Sequence, residues 1–206
     1  DNLGNRIAYT LDAMGNRTQE QVFDPLNALA QTRSRVYSNL NRLAQEIGAQ
    51  SQTTSYGYDN QGNLTSIDGP LVGTVDVTTN AYDALNRLIR VTDPNLGQVN
   101  YGYNGLDQLT SVTDPRSLVT SYSYDGLNNL NQLASPDTGA TVNTYDAAGN
   151  LLTQTDAKGQ VTSYAYDALN RVTGITFQGA ITHTYQYDQG ANGLGRIEVH
   201  VYLAVF

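Results

Sequence analysis

The sequence predicts an all-β protein of tandem two-strand repeats that form one long, curved or spiralling antiparallel β-sheet. Three observations predict this fold class. A Tyr recurs every 21 residues from Tyr82 to Tyr187. A Gly, Asn or Asp stands four residues after each of these Tyr residues as far as Tyr166. In the stretch that leads to each Tyr, similar residues occupy every second position, as Val99, Tyr101 and Tyr103 do. A fixed period indicates an array of one small structural unit. Alternation with a period of two is the pattern of a β-strand.

The motif that repeats is a Tyr that is usually followed by Asp. Less regular copies precede the regular ones, at Leu11-Asp12, Tyr37-Ser38 and Tyr58-Asp59. Residues that recur in every unit are explained by the geometry of the unit before any chemistry, so an enzyme is the least favoured class. The residues that define the repeat are Tyr58, Asp59, Tyr82, Asp83, Tyr103, Tyr124, Asp125, Tyr145, Asp146, Tyr166, Asp167, Tyr187 and Asp188.

Each motif predicts a tight turn. Gly, Asn and Asp tolerate a left-handed backbone, so the residue four positions after the Tyr is expected to have a positive φ. The Asp that follows the Tyr is expected to accept hydrogen bonds from backbone N–H groups of the same turn. The eight positions with an expected positive φ are Gly15, Asn41, Gly62, Asn86, Asp107, Asn128, Gly149 and Asn170.

Two short strands complete each repeat. In the strand that follows the turn, Leu88 and Val91 are three residues apart, which requires either a bulge or partial cover on both faces. In the return strand, Val99, Tyr101 and Tyr103 alternate and share one face. All connections are short, so neighbouring strands are expected to pair antiparallel. A twisted sheet of well over ten strands is expected to curl.

The chain divides by pattern into a repeat array over residues 1–197, regular from 82 to 187, and a divergent apolar strand over residues 198–206. In that strand Val199, Val201, Leu203 and Val205 alternate with other mainly apolar residues, which is typical of a strand covered on both faces. One interpretation is a strand that folds back into the sheet of its own chain, or an addition to the native repeat. The other is an assembly strand that pairs with the open edge of a second copy and builds a fibre.

Composition excludes several classes of partner and site. The formal net charge is -8 with no basic cluster, which argues against nucleic acid and anionic membrane surfaces. No apolar run approaches the roughly 20 residues of a membrane span. The chain has no Cys, so disulfides and thiolate metal sites are excluded. The 15 Tyr residues suit half-buried strands, because the ring buries area while the hydroxyl keeps a polar partner.

No catalytic, cofactor or metal site is predicted. His183 and His200 are the only histidines, and both occupy strand positions with no nucleophile or acid at a suggestive spacing. The many turn Asp residues do not form the dense acidic loop of an EF-hand. The Tyr rows have two interpretations: packing between repeats, or a surface on which sugar rings stack while their hydroxyls meet nearby amides and carboxylates.

The motifs resemble those of the Rhs/YD-repeat family. Tyr82 to Leu88 and Tyr166 to Val172 match its Tyr-Asp-x-x-Gly-Arg-Leu unit with Asn in the Gly place, and Tyr145 to Leu151 keeps the Gly. The resemblance covers about residues 5 to 197. It implies β-sheets that spiral into hollow shells, which enclose a C-terminal toxin in bacterial polymorphic toxins and form part of an adhesion ectodomain in teneurins.

The resemblance therefore implies a non-enzymatic shell or scaffold segment of a secreted or cell-surface protein. Eight or nine repeats make only a piece of such a wall, and the family's self-cleaving core region has no match here. The expected partner is an enclosed toxin or cargo domain, and the parent gene is expected to encode more repeats or that cargo. The alternatives are a glycan-binding adhesion module that uses the Tyr rows, and a self-assembling fibre subunit joined through the C-terminal strand.

Overall fold

A computed structural model of the chain describes residues 3–178, 181–188, 195 and 197–204. Every regular element among these residues is a β-strand, and none is a helix long and apolar enough to cross a bilayer. The strands are β1 (Arg6–Leu11), β2 (Arg17–Phe23), β3 (Leu29–Tyr37), β4 (Leu43–Ile47), β5 (Thr53–Tyr58), β6 (Leu64–Asp68), β7 (Val77–Tyr82), β8 (Leu88–Thr92), β9 (Gln98–Tyr103), β10 (Leu109–Thr113), β11 (Val119–Tyr124), β12 (Leu130–Ser135), β13 (Gly139–Tyr145), β14 (Leu151–Thr155), β15 (Val161–Tyr166), β16 (Val172–Phe177), β17 (Ile181–Tyr187) and β18 (Ile197–Ala204).

The chain divides into two compact units, Asp1–Tyr101 and Gly102–Phe206. In the first unit, β1 to β9 pair antiparallel, each strand with the next strand in the chain. In the second unit, β10 to β18 pair in the same way. The predicted all-β class and the tandem antiparallel two-strand repeats are confirmed.

A β-bulge follows each tyrosine turn and explains the three-residue apolar spacing. Tyr82 pairs with Leu88 and Ala81 pairs with Arg90, so Ile89 is the extra residue on its strand. The same shift recurs in the second unit, where Tyr124 pairs with Leu130 and Ser123 with Gln132. Of the two explanations offered for the spacing of Leu88 and Val91, the bulge is therefore the one that the structure contains.

The predicted positive φ angles are confirmed at all eight positions, from 60° at Asn170 to 102° at Gly62. The turns at the opposite ends of the strands use the same backbone conformation with less suitable residues. Leu96 has a φ of 68° and Ser117 one of 64°. Neither residue type relieves the steric cost of this region as Gly or Asn does, so the hairpin geometry imposes the conformation on them.

The connection between β6 and β7 departs from the repeat. Between β6 and β7 the chain forms an eight-residue loop, 69–76, where other repeats have a short turn, and this explains the wider spacing from Tyr58 to Tyr82. The carboxylate of Asp76 holds the loop by accepting the N–H of Leu71 at 2.8 Å. At its tip Val72 is 98% exposed.

The described residues form no enclosed hydrophobic core. No side chain of residues 3–178, 182–188, 195 or 197 is fully buried, and those of β5 and β10 are all half-buried. A single layer of sheet can only cover side chains with their neighbours on the same face, so pairs across adjacent strands stabilise it. Stability must therefore come from contacts between neighbouring strands and turns.

Candidate functional site

The tyrosine turns are five-residue hairpin turns that begin at the residue after each motif Tyr. In the turn Asp83–Arg87, the N–H of Asp83 donates to the carbonyl of Arg87 and the N–H of Asn86 donates to the carbonyl of Asp83, both at 3.0 Å. This is a type I turn closed by a left-handed residue, which matches the twist of the flanking strands. The same pair of backbone bonds closes the turns that begin at Asp125, Asp146 and Asp167.

In the turns that begin with Asp, the carboxylate fixes the turn from inside. One oxygen of Asp125 accepts the N–H groups of Leu127 and Asn129, each at 2.9 Å, and the other accepts the amide of Asn129 at 3.0 Å. These bonds, led by the one from the Asn129 side chain, hold the pKa of Asp125 below its ordinary value. The predicted role of the Asp as an acceptor of turn N–H groups is therefore confirmed.

The motif tyrosines connect neighbouring strands through their hydroxyl groups. Six of these hydroxyl groups donate to the backbone carbonyl of the residue that begins the preceding strand, and we call each such hydrogen bond a tyrosine clip. The separation in sequence is 15 residues in five clips and 18 in the one that spans the longer loop. The clips are Tyr58 to Leu43 (3.0 Å), Tyr82 to Leu64 (3.0 Å), Tyr124 to Leu109 (2.9 Å), Tyr145 to Leu130 (2.9 Å), Tyr166 to Leu151 (2.9 Å) and Tyr187 to Val172 (2.8 Å).

Each clip lies where the backbone pairing of its two strands stops. The register of β10 and β11 ends at Ser111 opposite Ser121, two residues before the carbonyl of Leu109 is reached. The Tyr124 hydroxyl donates to the carbonyl of Leu109, which no longer has a backbone N–H donor on β11. Because unpaired backbone carbonyls are costly when they are partly buried, the Tyr side chain lets the strands separate without leaving that group unsatisfied.

Polar side chains also connect one tyrosine turn to the next. In the first unit, the amide of Asn63 donates to Asn86 at 2.8 Å. In the second unit, Gln108 donates to Asn128 at 3.3 Å, Asn150 donates to Asn170 at 2.9 Å, and Arg171 forms an ion pair with Asp188 at 2.7 Å. Each donor is the last residue of its turn, so one position of the motif serves both the first residue of its own turn, an Asp or in one turn Asn104, and the neighbouring repeat.

The two faces of the sheet in the second unit differ in chemistry. Tyr122 is opposite Leu133 and Tyr164 is opposite Ile175, and we call the face with these pairs the aromatic face. Ser121 is opposite Ala134 and Ser163 is opposite Thr176, and their side is the hydroxyl face. On the aromatic face, the Tyr residues of successive repeats are therefore separated by aliphatic residues of the strand between them.

Neither face of β10 to β17 carries an Asp, Glu, Lys or Arg residue. Along β11 the aromatic face is half-buried and the hydroxyl face is exposed. The first unit differs, because Glu46 of β4 forms ion pairs with Arg33 and Arg35 of β3, both at 3.3 Å. Arg35 is two residues before the motif Tyr37, at a position where five later repeats carry a Tyr and two carry an Asn, Asn80 and Asn143.

The structure also locates His183 and the C-terminal strand, which the sequence analysis singled out. His183 lies half-buried on β17, with its ring 5.5 Å from that of Phe177 in an edge-on contact. The C-terminal strand pairs with β17, and the backbones of Val199, Val201 and Leu203 lie within it, while Val205 is outside the described residues. Edge-to-edge assembly through this strand stays a prediction. Among the residues that the structure describes, no group of three or more His, Asp and Glu side chains could hold a metal ion.

Sequence reasoning missed the acceptor of the Tyr hydroxyl and the links between turns. The signal for the first was the 15-residue separation, in five of the six clips, between the motif Tyr and the Leu or Val after an earlier turn. The signal for the second was the recurrence of Asn, Gln or Arg at the end of each turn.

Comparison with known proteins shows where this architecture recurs. A sequence model described as RHS Repeat matches residues 37–71, 82–117, 103–140 and 145–177, which together exceed half of the chain. A comparison with curated proteins gives no match.

Solved structures show the same fold. The chain is similar to one in the crystal structure of TcdB2-TccC3-Cdc42, with a TM-score of 0.74 and 16% identity. It is also similar to one in TcdB2-TccC3 without the hypervariable C-terminal region, with a TM-score of 0.73 and 16% identity. Both alignments cover 96% of this chain but 12% of the other, so this chain spans a small part of the length of those proteins. The family match and the turn geometry of each repeat lead to one conclusion: the chain belongs to the RHS repeat family.

Proposed function

We propose that this chain is a non-enzymatic wall segment of a shell that separates an enclosed polypeptide domain from solvent, in a secreted or cell-surface RHS protein. The observation that carries the proposal is how the reactive groups are used. Turn carboxylates accept backbone N–H groups, and motif Tyr hydroxyls donate to backbone carbonyls. Groups that could perform acid, base or nucleophilic chemistry are thereby engaged in holding neighbouring strands together.

The uncharged faces of the second unit support the same role. A wall that covers a polypeptide must not trap it by ion pairing, and β10 to β17 present neutral side chains on both faces. Charged residues of these repeats are confined to the turns, such as Asp125 and Lys158. The likeness to chains in TcdB2-TccC3 structures agrees with a wall of this kind, since those chains are much longer than this segment.

The test is to measure which face of the sheet is accessible in the protein as its native gene encodes it. Single cysteines at Ser121 and Ser163 report on the hydroxyl face, and single cysteines at Thr120 and Thr162 report on the aromatic face. This segment has no cysteine of its own. At each site, the extent of labelling by a bulky polymer maleimide is divided by the extent of labelling by a small maleimide. This ratio corrects for differences in the local burial of the four cysteines.

A wall predicts that the two sites on one face react with the small reagent and resist the bulky one, while the two sites on the other face react with both. Equal access of the bulky reagent to all four sites would contradict a wall, because a module in open solvent exposes both faces.

A polar cleft in the first unit favours glycan binding as a second candidate. The cleft has a volume of about 430 Å³ between two tyrosine turns, and its lining includes Asp59, Asn80, Tyr82, Asp83 and Asn86. Carboxylates and amides beside an aromatic ring are groups that hold sugar hydroxyls and a sugar ring face. Screening of the chain on a glycan array tests this candidate. Binding that is lost in Asp59→Asn and Asn86→Ala but kept in Asn143→Ala would support it, and no bound glycan would exclude it.

A further inference from the structure

The tyrosine turn of residues 104–108 differs from its neighbours at its first residue. It begins with Asn104, where the preceding and following tyrosine turns begin with Asp83 and Asp125. Its second residue is Gly105, and no other Asn is followed by Gly among the residues that the structure describes. This pair has a distinct chemistry, because a Gly lets its backbone nitrogen approach the side-chain carbonyl carbon of the preceding Asn.

The side-chain carbonyl of Asn104 is polarised by two backbone donors. Its oxygen accepts the N–H of Leu106 at 2.9 Å and the N–H of Gln108 at 3.1 Å. Donors aimed at a carbonyl oxygen stabilise the negative charge that develops there when a nucleophile adds to the carbon. The two hydrogen bonds that fix the turn therefore also make the Cγ atom of Asn104 a better electrophile.

The backbone nitrogen next to this carbonyl is available to react. No group in the described part of the chain accepts the N–H of Gly105, so its reaction breaks no hydrogen bond within the protein. Gly105 is exposed, so water reaches the site. The turn is also closed by a long hydrogen bond, since the N–H of Asp107 lies 3.3 Å from the carbonyl of Asn104. The corresponding bonds of Asn86 and Asn128 are 3.0 Å and 3.1 Å.

We propose that Asn104 is a self-modification site that deamidates in the folded chain, with water as the only co-reactant. The Gly105 nitrogen adds to Cγ of Asn104 and loses its proton, the Cγ–Nδ2 bond breaks, and ammonia leaves with that proton. The product is a succinimide ring. Water then adds to one ring carbonyl and breaks its bond to the Gly105 nitrogen, which regains a proton. Addition at Cγ gives Asp, and addition at the backbone carbonyl gives isoaspartate.

The Asp product suits this turn, because it matches the neighbouring repeats. In the present turn, Nδ2 of Asn104 donates to Oε1 of Gln108 at 2.7 Å, and Nε2 of Gln108 donates to Asn128 at 3.3 Å. In the turn that begins at Asp146, the amide of the last residue donates both to that Asp and to the next turn, each at 2.9 Å. A carboxylate in place of the Asn104 amide lets Gln108 donate in the same two directions. Deamidation to Asp therefore gives this turn the link that its neighbour already has.

Incubation of the intact chain in mildly alkaline buffer, followed by peptide mapping with mass spectrometry, tests the proposal. The fraction of each Asn that becomes Asp or isoaspartate is measured over time, and circular dichroism checks that the chain stays folded. Asn104 is expected to convert about tenfold or more faster than Asn86, because the bulky Arg87 follows Asn86 where Gly follows Asn104. The second Asn-Gly pair of the sequence, Asn192-Gly193, lies outside the described residues and is followed in a separate peptide.

Gly105→Ala is the matched variant. Gly105 has no positive φ, and no atom beyond its chain neighbours lies within 4 Å of the position that a Cβ would occupy. Three other tyrosine turns of the repeat carry Ala at this place, as Ala84, Ala147 and Ala168. The variant is therefore expected to keep the urea midpoint of the wild-type chain and to slow conversion of Asn104 about tenfold.

Asn104→Asp supplies the product directly and gives a readout that does not depend on Gly105. Its urea midpoint is expected to be at least as high as that of the wild-type chain, because the carboxylate accepts the same turn N–H groups and frees the Gln108 amide to donate. Three results would overturn the proposal: conversion of Asn104 no faster than that of Asn86 in the folded chain, an equal rate in Gly105→Ala, or a lower midpoint in Asn104→Asp.

Discussion

Replacing Tyr124 by Phe removes one oxygen atom and with it the clip to the carbonyl of Leu109, a hydrogen bond of 2.9 Å. The ring stays, so packing on the aromatic face is preserved. Tyr122→Phe is a matched control two residues earlier on the same strand. The hydroxyl of Tyr122 makes no hydrogen bond to the described part of the chain.

The expected cost follows from the clip geometry. A neutral hydrogen bond contributes a net stabilisation of about 0.5–1.5 kcal/mol, and a half-buried carbonyl can regain part of its loss from water. We therefore expect Tyr124→Phe to lower the free energy of unfolding by about 1 kcal/mol, and Tyr122→Phe by less than about 0.5 kcal/mol.

The effect is expected to add across repeats. The clips of Tyr124, Tyr145 and Tyr166 are two strands, or about 9.6 Å, apart, a distance at which mutational effects are usually additive. The triple Phe variant should then lose about 3 kcal/mol, a large part of the usual 5–15 kcal/mol.

Urea denaturation followed by circular dichroism and tyrosine fluorescence measures these differences, since the chain has no Trp. The wild-type chain and both single variants are compared at one temperature, with the slope of each transition checked for equality. Equal losses in Tyr124→Phe and Tyr122→Phe would refute the reasoning, because the two variants differ in the clip alone.

Three further predictions concern the turns. Asp125→Ala should lower the urea midpoint clearly, because it removes the acceptor of two turn N–H groups. Asp125→Asn should lower the midpoint little, because Asn104 accepts the N–H groups of Leu106 and Gln108 in its own turn. A larger loss in Asp125→Asn than in Asp125→Ala would show that the charge matters and the acceptor does not. The pKa values of the turn Asp residues are lowered by hydrogen bonds that keep the carboxylate charged, so their stabilisation is complete above the unfolded value of 3.8 and is lost as the pH falls through the folded value. The urea midpoint should thus be flat from about pH 8 to 5 and fall below about pH 4, and a fall between pH 7 and 5 would contradict this origin. Leu96→Gly should raise stability by about 0.5–1 kcal/mol in the same denaturation assay, because Leu96 has a φ of 68°, and a loss would show that its exposed side chain is needed.

Local sterics made part of this structure readable from sequence. Asn86 and Gly149 reveal their backbone conformation because few residue types accept a positive φ. Leu96 and Ser117 could not be predicted in the same way, because the hairpin imposes that conformation on residues that do not favour it.

The clip acceptors were also out of reach, for a different reason. The carbonyl of Leu109 is a backbone group, identical in every residue, and it needs a donor only because β10 and β11 separate there.

Contacts between neighbouring strands and turns stabilise the repeats without an enclosed core, and this dependence on neighbours can be tested. An in-register deletion of residues 125–145 tests it most directly, because it removes one 21-residue repeat and joins Tyr124 to Asp146 with the motif intact. We expect a folded protein with unchanged β-sheet signal per residue and a modestly lower urea midpoint, since each repeat depends on its neighbours alone. Global unfolding of the shortened chain would contradict it, because that result would require a core shared by distant repeats.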